Sequence, residues 1–161
     1  MWKRIKGHIL PFAIAIALPL AVGTLSALLT RNSMNIYDTV KTPPLSPPGI
    51  VFPIVWTVLY VLMGVSSALV FTYRDRDMNS ARAGLSAYLS SLVFNFLWSI
   101  IFFNIRSPLA ALVTLLVLLY FIIRTVLYYR RVSPVGAALQ IPYILWVTFA
   151  GYLNGGIFFL N

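Results

Sequence analysis

Apolar residues run along this chain in long unbroken blocks, not in the spaced stripes of a helix that turns one face to water. Segments 7–30, 42–73, 83–105, 107–123 and 132–161 contain no Lys, Arg, Asp or Glu. A helix needs about 20 apolar residues to cross the hydrocarbon core, so the pattern predicts five spans, at 9–29, 50–73, 83–105, 107–129 and 134–158. The fourth block is short, and its span is extended past Arg124 because an arginine near a helix end can carry its charged head to the headgroups. A membrane β-barrel would alternate apolar and polar residues over segments of about 10. The run LAALVTLLVLLYFII at 109–123 does not alternate. The fold class is therefore all-α: a five-transmembrane-helix bundle making a single membrane domain over 1–161.

Composition agrees, since 60% of the residues are hydrophobic and 9% charged, against about 25% charged in soluble domains. The lipid bilayer is the expected partner. MWKRIKGH followed by an apolar run resembles a signal peptide, but the run outlasts the usual h-region of about 7–15 residues. Retention of the first span is expected, with cleavage as the alternative.

Loop charge supplies an orientation. Lys3, Arg4, Lys6, Arg74, Arg76, Arg82, Arg124, Arg130 and Arg131 fall on one side of the five spans, and only Arg31, Lys41 and Arg106 on the other. The excess predicts a cytoplasmic N-terminus and an outside C-terminus in a bacterial plasma membrane. The net charge of +9 is thus a topology signal. Basic residues spread thinly along one membrane face give no reason to expect nucleic acid.

The longest loop, 30–49, contains TPPLSPPG, in which Pro43, Pro44, Pro47 and Pro48 fix their own φ and restrict the residue before each. Loops of this length are commonly functional. A stiff outer lid is expected, able to close over a ligand at a small ordering cost.

Helical spacing then groups the side chains that could carry chemistry. Tyr88, Ser91, Asn95, Trp98 and Phe102 share one face of the third span, Trp56, Tyr60, Met63 and Ser67 one face of the second, and Trp146, Phe149, Ala150 and Leu153 one face of the fifth. Converging stripes would line a cavity with flat aromatic walls and a few polar groups. Membrane-interface belts also use Trp and Tyr. Asn95 lies near mid-membrane and must hydrogen-bond either a neighbouring helix or a ligand. Small residues four apart, as at Ala13, Ala17 and Ala21, Ala83, Ala87 and Ser91, and Gly151 and Gly155, allow close helix packing within the bundle or between copies. The third span is the first choice for a homodimer contact.

Titratable groups are scarce. The acids are Asp38, Asp75 and Asp77, all in loops, the one histidine is His8, and there is no Glu or Cys. No metal cluster, acid–base pair or nucleophilic triad can be assembled from these, and no ion-coupling site is evident inside a span. No cofactor is required by the residues, and enzymatic activity is left open.

YDTVKTPPLSPPGIVFPIVWTVLYVLMG (37–64), YLSSLVFNFLWSIIFF (88–103) and PYILWVTFAGYLN (142–154) together resemble the translocator protein or tryptophan-rich sensory protein family, TspO/MBR, formerly the peripheral-type benzodiazepine receptor. The resemblance implies a five-helix bundle, often dimeric, that acts as a receptor or sensor. Its cavity would bind tetrapyrroles (protoporphyrin IX, haem), sterols such as cholesterol, and benzodiazepine-type ligands. Residues carried over by motif are Tyr37, Phe52, Trp56, Tyr60, Ser91, Asn95, Trp98, Trp146, Phe149 and Ala150. Some bacterial members are implied to degrade porphyrin in light, which would give Trp56 and Trp146 a catalytic part; passive porphyrin or sterol carriage is the other alternative. The sequence departs from the family pattern at Ile36 and Leu45, where aromatic residues are usual, and at Ser91, where glutamine is frequent.

Overall fold

Long apolar helices follow one another in the computed structural model, which describes residues 9–33 and 39–161. Helix α1 covers Ile9–Thr30 and runs into a 3-10 turn at Arg31–Ser33. Pro19 sits inside α1 without ending it, as membrane helices tolerate when neighbours cover the freed carbonyl. Helix α2, Val51–Thr72, starts from a turn in which Val51 N–H donates to the Pro48 carbonyl at 3.0 Å. Pro53 falls in its first turn, where a missing N–H costs nothing.

Helix α3 is Met78–Ser99, continued by a π-helical segment at Ile100–Ile105. Asp77 caps its start by accepting from Ser80 N–H at 2.9 Å. Arg106, in a left-handed conformation with φ 58°, ends the segment by donating its N–H to the Ile101 carbonyl. Helix α4, Pro108–Val132, has proline in its first turn and Arg130 and Arg131 in its last, an order that suits the helix dipole.

The last span is broken rather than continuous. A short helix α5, Pro134–Ala138, is capped by the Ser133 hydroxyl, and α6, Ile141–Leu160, begins after Leu139 and Gln140. Pro142 supplies the reason, because it has no N–H to return to the carbonyl four residues back. Gln140, 1% exposed, fills the break: it donates to Ser66 Oγ at 3.1 Å, and Ser66 donates to the Gly136 carbonyl at 2.6 Å.

Five of these elements, counting α5 with α6, are long and apolar enough to cross a membrane. They close a ring in which α1 packs on α2, α2 on α6, α6 on α4, α4 on α3 and α3 on α1. Met63, Tyr88, Leu92, Leu118, Tyr143 and Ile157 fill its axis. Backbone contact fixes the α1–α2 crossing: a Cβ on Gly64 would come within 2.5 Å of the Ile16 Cα. Ala13, Ala17 and Ala21, the small residues expected to serve such contacts, face outward instead. Ala87 and Ser91 are buried inside the chain, and Gly84 receives the ring of Tyr129, where an added Cβ would meet its Cδ1 at 2.7 Å. On α3 it is therefore Gly84 that meets α4 closely. A Cβ on Gly151 would meet nothing, whereas Gly156 is pressed against Pro43.

The two ends of the ring differ in chemistry. At the arginine-rich end, the Arg74 guanidinium lies over Phe71 and donates to its carbonyl, and Arg76 lies over Tyr73 and reaches the Val132 carbonyl at 3.2 Å. At the other end the loop after α1 returns to α2 through its prolines.

Candidate functional site

A cavity of about 530 Å³ opens between α1, α2 and α3 towards the proline-rich end. Leu20, Gly23, Thr24, Ala27 and Leu28 of α1 form one wall, Phe52, Trp56, Thr57 and Tyr60 of α2 the second, and Trp98, Ser99 and Phe103 of α3 the third. Trp56 is the hub of its aromatic lining. Its ring stacks on Tyr60 with centroids 5.6 Å apart, lies 5.9 Å from Trp98, and meets the edge of Tyr143 at 6.1 Å. Rigid rings with large faces suit a flat apolar guest.

The side chain behind this wall is Asn95, which is wholly buried. Its Oδ1 accepts from the Tyr60 hydroxyl at 2.9 Å and its Nδ2 donates to the Tyr143 hydroxyl at 3.1 Å. Of the two partners left open for it, the neighbouring helices are those observed: one carboxamide joins α2, α3 and α6. Trp98 is held in turn by donating Nε1–H to Asn154 Oδ1 at 3.3 Å, and Asn154 donates to the Pro108 carbonyl at 2.7 Å. The rings are therefore oriented by a buried polar frame and not by packing alone.

The expected site residues divide into three groups. Phe52, Trp56, Tyr60 and Trp98 line the cavity. Ser91, Asn95, Trp146, Phe149 and Ala150 do not. Ser91 donates to the Tyr88 carbonyl at 2.7 Å, and Ala150 is buried. Trp146 meets Phe52 edge-on at 5.9 Å and Phe149 at 5.7 Å, and faces a shallow apolar groove with Ile54, Val58, Leu62 and Leu145 on the outer surface between α2 and α6. Tyr37, like His8 and Asp38, lies outside the described residues. The reason for the split is geometric. Helical spacing shows which residues share a face but not what that face meets: Ser91, Asn95 and Ala150 turn into the bundle, Trp146 turns to the outer groove, and the cavity lies on the α1 side.

Residues that the stripes did not contain complete the lining. Phe103 joins because the π-helical segment adds a residue to the turn, so that Phe102 stacks on Trp98 at 5.8 Å and Phe103 meets the same ring edge-on at 6.3 Å. Gly23 lets α1 lie flat on the Tyr60 ring, since a Cβ there would fall 2.1 Å from its Cε2. A glycine within an apolar span was the available signal.

The described part of the proline-rich loop is strapped to the end of α6. Pro43 is buried on Gly156, the Tyr152 hydroxyl donates to the Pro44 carbonyl at 2.8 Å, and Asn161 exchanges two hydrogen bonds with the Lys41 backbone at 2.9 and 3.0 Å. Ser46 donates to the Pro43 carbonyl at 2.7 Å across a turn in which exposed Leu45 has φ 68°. Pro47 and Pro48 do not line the cavity. Among the described residues no three His, Cys, Asp or Glu side chains gather as a metal site would require.

Fold and cavity define a class: a polytopic helical membrane protein with an aromatic-walled chamber opening near one face of the bilayer. The chain belongs to the TspO/MBR family, whose model matches residues 15–160. It is 39% identical to the tryptophan-rich protein TspO of Chlorobaculum tepidum over 96% of this chain and 98% of that one. It is 34% identical to the protein of the same name from Archaeoglobus fulgidus over 96% and 99%. The human translocator protein is 33% identical over 89% of this chain and 83% of its own length. The protein is thus an integral membrane member of a sensor and translocator family.

Proposed function

We propose that this protein is a membrane receptor that senses a tetrapyrrole, with protoporphyrin IX or haem held in the chamber between α1, α2 and α3. The observation that carries the reading is the three-ring wall of Trp56, Tyr60 and Trp98 bounding a chamber of about 530 Å³, a size suited to one small-molecule ligand. Sterols and benzodiazepine-type ligands are flat and apolar enough to compete for the same wall. The family names that speak of a sensory protein and a translocator support a role in detecting or handling a small molecule. Titration of the purified protein in detergent with protoporphyrin IX in the dark tests this. A saturable shift of the porphyrin band, weakened at least about tenfold in Trp98→Ala, is expected from losing one stacking face; linear, unsaturable uptake equal in both proteins would refute it.

A second reading, light-dependent porphyrin degradation, is favoured by Trp56 facing the chamber in contact with two further oxidisable rings. Because Trp146 faces away, this reading expects Trp56→Phe to slow bleaching far more than Trp146→Phe. We also propose that the arginine-rich end faces the cytoplasm of a bacterial plasma membrane, which places the chamber mouth outside. Homodimerisation, if the chain follows its family, would use surfaces other than Ala87 and Ser91, which are buried within one chain.

A further inference from the structure

The chamber has a chemical gradient along its length. Tyr60, well inside α2, and Trp98, about two turns before the end of the π-helical segment that continues α3, lie deepest, on the order of 10 Å in at 1.5 Å per residue. At the mouth Thr30 and Arg31 line the α1 side, with Ser26 about one turn deeper. Among the described residues, Arg31 is the one charged residue in the lining, and no acid lines it there. Ser26 is 5% exposed, and its hydroxyl is buried with no hydrogen-bond partner among the described residues. A buried orphan hydroxyl costs free energy that a ligand oxygen can return. A guanidinium at the rim offers a carboxylate paired N–H donors in fixed geometry.

We infer that the chamber selects amphiphilic flat acids, the guest's apolar plane lying on Trp56, Tyr60 and Trp98 and its carboxylate meeting Arg31, with the Ser26 hydroxyl as an auxiliary donor. This rests on the chamber being a ligand site and deepens the tetrapyrrole reading, since it makes the charged side groups of the guest a condition of tight binding. A neutral flat molecule, a sterol included, would use the aromatic floor alone. Arg31 is a specificity determinant at the mouth and has no part in the floor.

Two acid and ester pairs test the inference: protoporphyrin IX with its dimethyl ester, and pyrenebutyric acid with its methyl ester. Each is titrated into wild type, Arg31→Gln and Arg31→Lys in neutral detergent at low and high salt. The acids should bind wild type about three- to tenfold more tightly than the esters, as expected of a charge-assisted contact partly open to water. Arg31→Gln should remove that preference while leaving ester affinity unchanged, Arg31→Lys should restore part of it, and salt should weaken only the acids. Equal affinity of acid and ester in wild type, or a preference that survives Arg31→Gln, overturns the inference. Failure of both porphyrins while the pyrene pair behaves as described refutes the tetrapyrrole reading and leaves the acid selectivity standing; failure of all four refutes both. Arg31-dependent displacement of the acids by added phosphatidylglycerol, but not by phosphatidylcholine, would assign the guanidinium to a lipid phosphate and overturn the inference.

Discussion

Asn95 supports two hydroxyls, those of Tyr60 and Tyr143. Replacing it with alanine removes both bonds within a buried site. Bonds between membrane helices are worth roughly 0.6 kcal/mol on average, and orphaned buried groups add to that; Asn95→Ala should therefore lower stability by about 1–3 kcal/mol, read as an earlier thermal transition in detergent. Tyr60→Phe should cost less, because it removes one bond and keeps the ring on Gly23. Asp77 gives a pH prediction. Its hydrogen bonds with Ser80, aided by Arg131, hold its carboxyl below the usual carboxylate value. A depressed carboxylate adds stability above its unfolded pKa, near 3.9, and loses it as pH falls through the lower folded value. The wild type should thus lose thermal stability relative to Asp77→Asn below about pH 4, since asparagine caps without titrating; an unchanged difference from pH 7 to pH 3 would contradict this. Trp56, Tyr60 and Trp98 were legible as chamber residues from aromatic spacing. Arg31 and Ser26 were not, because a basic residue that ends a span reads as a topology marker and a lone serine in a span as neutral filler.

Two helix-level features set the chamber's shape. One is the α1–α2 contact, where Gly64 meets the Ile16 backbone and Gly23 meets the Tyr60 ring. Gly64→Ala forces backbone apart and should cost about 1–3 kcal/mol, the range for overpacking. Gly23→Ala meets only a side chain, so it should displace the Tyr60 ring and weaken ligand binding more than it lowers stability; the paired measurement of melting temperature and Kd separates the two. The other feature is the π-helical end of α3, which brings Phe102 and Phe103 onto one tryptophan. Sequence periodicity assumes a constant 100° per residue and cannot anticipate that added residue, so Phe103 went unassigned. The break at Leu139 and Gln140 had a visible cause in Pro142, but its buried partner Ser66 lies on a different helix, and no local pattern announces a contact 74 positions away.

At the scale of the molecule, the five spans and the all-helical class were legible because hydrocarbon imposes length and leaves charge only at the ends. The position of the chamber was not. Stripes converging on a bundle axis give a central site in the simplest geometry, yet the axis is filled by Asn95, Tyr143, Met63 and Leu118, and the chamber lies on the α1 side. Orientation is testable because the natural chain has no cysteine. In intact cells a membrane-impermeant maleimide should label Thr42→Cys, in the proline-rich loop, and spare Asp75→Cys, in the arginine-rich one, with the reverse pattern inverting the proposed topology.

Ligand is proposed to enter the chamber between α1, α2 and α3. The most direct measurement is the dark affinity for protoporphyrin IX of three folded proteins: wild type, Ala27→Trp, which fills the chamber from the α1 wall, and Trp146→Phe, which alters the opposite side of α2. The chamber account predicts that Ala27→Trp weakens binding at least about tenfold, the loss of more than about 1.4 kcal/mol, with Trp146→Phe close to wild type. Undiminished binding by Ala27→Trp together with loss in Trp146→Phe would contradict it and move the site to the α2–α6 side.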